Sequence, residues 1–331
     1  MTESAAGPGA RKAAELSVVA PVYNEARSIE ALLKRLVPVL EQCATSFEII
    51  FVDDGSTDPT LQVVRAANQT DGRIRALSLS RNFGKEVAIA AGLDYASGAA
   101  TIIMDADLQH PPELIESFVA HWRKGYKNVF AQRVDPVYHP IRRLLTQRFY
   151  KLFGSVGDIR LPEGAGDFRL LDAQAVAALR VMREHARFSK GLYAWIGFKS
   201  IGVPFEVEAR AHGVSKFSYR KLTNLALDGL MSFSTIPLKV WSYIGLATSL
   251  LALTLASFFL IRTLILGVDV PGYASLIVSI TFFAGIQLLS LGIIGEYIGR
   301  IFAEVKRRPL YLIEERIGIA PLLPDDPVRP D

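Results

Sequence analysis

Two carboxylates, Asp105 and Asp107, stand two positions apart just beyond the apolar run Ala100–Met104, and Gln109 and His110 follow at once. A pair of carboxylates at this spacing on an extended turn can hold one hard divalent cation. Magnesium or manganese takes oxygen ligands and leaves positions open for phosphate. Such a cation would neutralise a diphosphate leaving group. An Asp-x-Asp triplet alone says little, because it arises by chance; its place at a strand end gives it weight. His110 is expected to support the turn structurally rather than to take part in catalysis. A second acidic pair, Asp53-Asp54, follows the apolar run Phe47–Val52, and two further polar clusters, Tyr23-Asn24-Glu25 and Ser80-Arg81-Asn82, end apolar runs of their own.

The segments between these clusters explain why they should meet. Leu16–Ala20 reads as a buried parallel strand. Ile29, Leu32, Leu33, Leu36 and Leu40 fall on one helical face, with Asn24 as the expected N-cap. Phe47–Val52 predicts a second strand, followed by a helix over about 58–68. Further strands are expected over 74–79, 100–104 and 128–131, with helices over 87–95 and from Pro111-Pro112, where proline suits a first turn. Strand–helix alternation at this spacing gives an α/β domain with a mostly parallel sheet covered on both faces. Ligands of such sheets sit beyond the carboxyl ends of the strands, where all four polar clusters fall.

The last third of the 331 residues has a different character. Trp241–Ile261 is 21 residues without a charge and Tyr273–Gly295 is 23, each long enough to cross a bilayer. Arg262 is placed to snorkel at the far interface. Lys216, Arg220, Lys221 and Lys239 precede the first run; Arg300, Lys306, Arg307 and Arg308 follow the second. That bias predicts a hairpin of two spans, about 241–262 and 273–296, with both flanks and the α/β domain cytosolic. Residues 213–236 read as an amphipathic segment at the headgroups, residues 1–14 as a disordered tail without a signal peptide, and 303–331 as a cytosolic tail. In that tail Leu310–Ile313 is strand-like and should seek a sheet edge. A net charge of +4 without an aromatic-studded basic stripe gives no nucleic-acid signature, and the single Cys43 excludes an intrachain disulfide.

Val18-Val19-Ala20-Pro21-Val22-Tyr23-Asn24-Glu25, then Val52-Asp53-Asp54-Gly55-Ser56-Thr57-Asp58, then Asp105-Ala106-Asp107-Leu108-Gln109-His110-Pro111 resemble glycosyltransferase family 2, whose fold is the Rossmann-like GT-A domain. Ser80-Arg81-Asn82-Phe83-Gly84-Lys85-Glu86 and the C-terminal hairpin are similar to the polyprenyl-phosphate glycosyltransferases, among them the bactoprenol glucosyltransferases and dolichol-phosphate mannose synthases. The resemblance spans about Leu16 to Pro309. It implies that the catalytic domain occupies 15–212 and the membrane region 237–302. It implies that Pro21, Tyr23 and Glu25 line the base and ribose pocket, that Asp53 and Asp54 contact base and ribose, and that Lys85 lies near the nucleotide. Asp105 and Asp107 would bind the metal with Gln109 as an auxiliary ligand. Asp167 matches the carboxylate proposed as base, Arg133 and Arg210 match phosphate-engaging arginines, and Ser215 and Lys216 match a phosphate-contacting loop. It further implies a homo-oligomer, a tetramer, reached through the C-terminal tail.

The expected reaction is inverting transfer of one sugar from a nucleotide-sugar, UDP-glucose foremost, to polyprenyl (undecaprenyl) phosphate at the cytosolic face of the inner membrane. GDP-mannose, a UDP-N-acetylhexosamine or an amino-arabinose donor are the alternatives. Other readings are a membrane protein that only binds a nucleotide-sugar or lipid carrier, and a nucleotide-sugar hydrolase. A processive polysaccharide synthase is disfavoured, since Trp195 is preceded by alanine where such enzymes carry Gln-x-x-Arg-Trp.

Overall fold

The computed structural model describes residues 14–133, 164–185, 187–205, 236–266 and 272–321. Two compact units divide the chain: an α/β unit that takes up the residues after 308 as well as the N-terminal part, and a unit with two long helices.

The α/β unit begins with the expected alternation: β1 (Leu16–Val22), α1 (Ala26–Cys43), β2 (Phe47–Asp53), α2 (Thr60–Thr70), β3 (Ile74–Leu79), α3 (Lys85–Tyr95), β4 (Ala100–Ile103), α4 (Leu114–Arg123) and β5 (Asn128–Arg133). Strand β6 (Ala165–Asp172), α5 (Ala173–Val181), α6 (Ser189–Trp195), β7 (Ser200–Phe205) and β8 (Ile313–Ile317) complete it. The sheet order is β7-β5-β6-β4-β1-β2-β3-β8. Strands β3, β2, β1 and β4 run parallel, as do β5 and β7. Strand β6 lies antiparallel between β4 and β5, and β8 lies antiparallel on β3. The sheet is therefore mixed, with parallel pairing at its centre.

Burial explains the apolar runs. Every residue of β2 is buried, because helices cover both faces of the sheet. Helix α1 turns Ile29, Leu32, Leu36 and Leu40 inward at 0 % exposure, worth about 1.5–3 kcal/mol each. Helix α3 covers the other face so closely that a Cβ on Gly92 would meet Val19 Cγ1 at 2.3 Å. Two expectations are corrected. Asn24 does not cap α1: Glu25 takes that position, while Asn24 adopts φ 58 and accepts from the Thr57 and Asp58 amides at 2.8 and 3.3 Å. Helix α4 starts at Leu114, because Pro111 and Pro112 form the turn before it.

The second unit contains α7 (Ile236–Leu266) and α8 (Tyr273–Val305), 31 and 33 residues long. At about 1.5 Å per residue they reach roughly 46 and 50 Å, and both outrun the expected spans. Among the described residues one segment, Phe282–Val305, is long and apolar enough to cross a membrane, and none of it is buried. The amphipathic segment at 213–235, most of the N-terminal tail, the polar end 322–331 and the loop 267–271 lie outside the described residues.

Candidate active site

The carboxyl ends of β1, β2, β3 and β4 bring their polar clusters to one edge of the sheet, and the antiparallel β6 adds a carboxylate from far along the chain. Ile103 of β4 pairs with Arg169 of β6. Two residues beyond that pair, along each strand's path to the edge, stand Asp105 and Asp167. The Lys85 ammonium joins them, 2.6 Å from Asp105 Oδ1 and 2.9 Å from Asp167 Oδ2. Burial opposes the lysine's charge, but the two carboxylates outweigh it and hold its pKa above the ordinary lysine value. Burial alone would raise the Asp167 carboxyl; Lys85, then Lys190 and Arg169, pull it below the ordinary value instead. The other oxygen of Asp167, Oδ1, is buried without a hydrogen-bond partner among the described residues.

Asp105, Asp107 and His110 can each turn one ligand atom to within 4.8 Å of the others. The turn between them is tight: Leu108 sits at φ 59, in the left-handed region that a leucine seldom adopts, and Asp107 accepts from the Gln109 amide at 3.1 Å. Strain of this kind collects at functional loops. The His110 ring packs on Phe168 and Phe205, burial pushes its pKa down, and its Nδ1 has no hydrogen-bond partner among the described residues. A neutral imidazole beside two carboxylates, with buried polar atoms left unmatched nearby, suits a divalent cation. His110 thus moves from the structural role expected of it into the candidate ligand set. The Asp-x-Asp-x-x-His spacing was the available signal. Gln109 contributes its backbone amide to the turn, and its side chain makes no hydrogen bond among the described residues.

The other acidic pair is built differently. Asp53 and Asp54 are 3 % and 4 % exposed, and burial pushes both carboxyls up. Asp54 accepts from the Phe83 amide at 2.7 Å and the Gly84 amide at 2.9 Å, so it holds the loop that leads to Lys85. Asp53 accepts from the Ser56 amide at 3.1 Å and from the Ser78 hydroxyl at 3.4 Å. Gly55, at φ 71, lets the Asp53 turn lie against that loop: a Cβ there would fall 2.6 Å from the Arg81 carbonyl carbon. Tyr23 is exposed at the end of β1, next to Pro21 and Val22. Glu25 accepts from the Ser28 hydroxyl at 2.7 Å, while its amide donates to Thr60 Oγ1 at 2.9 Å.

Arg133 closes β5, where its backbone pairs with Phe205; its side chain, like Arg210, Ser215 and Lys216, lies outside the described residues. Two residues behind Asp167 were not among the expected site residues. Arg169 is 3 % exposed, donates to the Gly166 carbonyl and stacks on the Tyr193 ring at 3.7 Å. Glu86, next to Lys85, accepts from the Ser189 amide and hydroxyl; burial and then Asp167 raise its pKa. Both depend on α6, whose packing no local pattern announced.

Residues 17–179 match the model of glycosyl transferase family 2. An uncharacterized glycosyltransferase of Synechocystis sp. is 49% identical over 306 residues, 92% of this chain and 96% of that protein. A putative glycosyltransferase of Bacillus subtilis is 43% identical over 91% of each chain. A prophage-derived bactoprenol glucosyl transferase of Shigella flexneri is 41% identical over 91% of this chain and 98% of that one.

Proposed function

Because the chain belongs to glycosyl transferase family 2, we propose that it transfers a single glucose from UDP-glucose to a polyprenyl phosphate, with inversion, at the cytosolic face of a membrane. The observation that carries this reading is the joining of Asp105 and Asp167 by Lys85 beside Asp107 and His110, in a chain similar over nearly its full length to a bactoprenol glucosyl transferase. Asp105, Asp107 and His110 would hold Mg2+ or Mn2+, with Gln109 in reserve. When bound, that cation supplies charge neutralisation for the departing nucleoside diphosphate.

The chain's own groups do the rest. Lys85 stands where it can turn from the carboxylates to a diphosphate, and Arg133, Arg210, Ser215 and Lys216 are proposed to add positive charge and hydrogen bonds there. Fixed donors aimed at developing charge are the dominant source of acceleration in such sites. The acceptor phosphate has a second pKa of about 6 and is mostly ionised at neutral pH. A strong base is not required, and Asp167, held below the ordinary carboxyl range, is a poor one. Asp167 is therefore assigned to positioning the acceptor and balancing the cations around it.

The lipid acceptor requires the site to lie near a bilayer. Helices α7 and α8 are proposed as the two-span hairpin, in agreement with the basic flanks and the unburied apolar segment at 282–305. Chain connectivity supports an even number of crossings, since β8, after α8, pairs in the sheet that precedes α7. The homo-tetramer implied by the resemblance would form on the outer edge of β8, the last strand of the sheet, and light scattering of the solubilised chain checks it.

Purified full-length chain should transfer label from UDP-glucose to undecaprenyl phosphate in the presence of Mg2+ or Mn2+, and do so faster than from GDP-mannose, UDP-N-acetylglucosamine or an amino-arabinose donor. Preference for another donor would replace the sugar assigned. Nucleotide-sugar hydrolysis indifferent to the lipid, or binding without turnover, would overturn the transferase reading.

A further inference from the structure

A cavity of about 540 Å³ opens between the Asp53 turn, the start of α2 and strand β8, a size that suits a small ligand. Its charged lining consists of Asp53 and Asp58 on one side, Arg81 from the loop after β3, and Glu314 and Glu315 of β8 on the other. Four carboxylates against one guanidinium make a poor seat for phosphate. They make a good seat for the part of a ligand that offers O–H and N–H donors. The loop from Arg81 runs directly to Lys85, the cation beside Asp105 and Asp167. A nucleoside diphosphate can therefore lie with its nucleoside in the cavity and its phosphates toward Lys85. Asp53 already has a nucleoside role by resemblance; the wall that β8 supplies has none.

Strand β8 is held firmly enough to act as a wall. Leu312 accepts from the Ser80 amide at 2.9 Å, and Ile313 is fully buried. The Tyr311 hydroxyl donates to the buried Asp94 at 2.7 Å, where Arg183 also donates twice, at 2.6 and 3.1 Å. Glu315 is engaged by Arg65 at 2.7 Å. Glu314 is exposed, lines the cavity and makes no hydrogen bond or ion pair among the described residues. It is an acceptor left over on a rigid element.

We propose that Glu314 is a specificity-determining residue for the donor, accepting hydrogen bonds from its nucleoside, so that the segment following the helical hairpin completes the donor pocket. The inference rests on the donor-binding reading above. Titration of the full-length solubilised chain with UDP, GDP and inorganic pyrophosphate, each with Mg2+, tests it. Glu314→Gln should weaken the nucleoside diphosphate that the wild type prefers roughly tenfold, the worth of one charge-assisted hydrogen bond. Glu314→Lys should weaken it further, and pyrophosphate should bind both variants as it binds the wild type. Asp53→Asn serves as the reference. If Asp53→Asn weakens UDP or GDP while both Glu314 variants bind like wild type, the role of β8 is refuted and the donor reading stands. An equal loss of pyrophosphate affinity would also refute it, because the effect would then be general charge. A wild-type chain that binds neither UDP nor GDP would overturn the donor reading and this inference together.

Discussion

Two acidic pairs stand at the ends of β2 and β4, and the protein holds them in opposite ways. Asp53 and Asp54 are buried and accept from main-chain amides of the turns around them. Asp105 and Asp107 are partly exposed; the first is met by a lysine and the second by one amide of its own turn. An amide cannot leave its loop without unfolding it, whereas an ammonium on a flexible stem can swing away. The first pair therefore spends most of its capacity on building the site, and the second keeps its capacity for a ligand. Sequence alone writes both as aspartates after an apolar strand.

The contrast is sharpest in activity. Asp105→Asn should lower transfer roughly a thousandfold, as loss of a major electrostatic contact does, while thermal unfolding stays close to wild type. Transfer assays beside a melting curve check both halves; a variant that retains activity in excess chelator breaks the comparison at its functional end.

Asp54→Asn should do the reverse of Asp105→Asn in the melting curve. One of the two amides that Asp54 now accepts would face an N–H2 group, a loss of about 2 kcal/mol, measurable by denaturant unfolding. Asp53→Asn should be milder, since Ser56 and Ser78 can still find an acceptor or a donor there. It should also flatten the pH dependence. A carboxyl raised by burial takes up protons more readily folded than unfolded, so its ionisation costs stability as pH climbs from about 3.8 to the raised value. Without Asp53 that decline should shrink, and an unchanged slope would show that the pair is not held as described.

The smallest expected effect concerns Asp167, the carboxylate shared between Lys85 and the space beyond. Asp167→Asn should raise KM for the lipid phosphate about tenfold at nearly constant kcat, the pattern of lost positioning rather than lost chemistry. The acidic limb of the pH–rate profile should remain near the acceptor's second pKa of about 6. A large fall in kcat at saturating acceptor, with that limb abolished, would make Asp167 the base after all.

What could be read in advance depended on how local its cause was. Strands β1 to β5 and helices α1 to α4 follow from period and punctuation, because a buried parallel strand writes itself as an apolar run and an amphipathic helix as a stripe. Strand β6 has only Phe168, Leu170 and Leu171 as large apolar residues, interrupted by Arg169, and its antiparallel insertion depends on β4 and β5 being in place. The misjudgement of Asn24 had a similar source: its side chain serves a turn 33 residues away rather than its own helix.

By itself the sequence determined the central parallel alternation, the carboxylates at the strand ends, the two long apolar runs and the family, since each is a matter of residue type at short spacing. Only the tertiary structure decided which groups share a charge. It put Asp167 beside Lys85 across 82 positions, set His110 within reach of Asp105 and Asp107, and returned residues 313–317 to β3 after the whole helical segment. Those choices turn on sheet order and packing. Electrostatic and hydrogen-bonding energies depend on distance in space, and folding into a sheet brings together residues that the linear order of the chain keeps far apart.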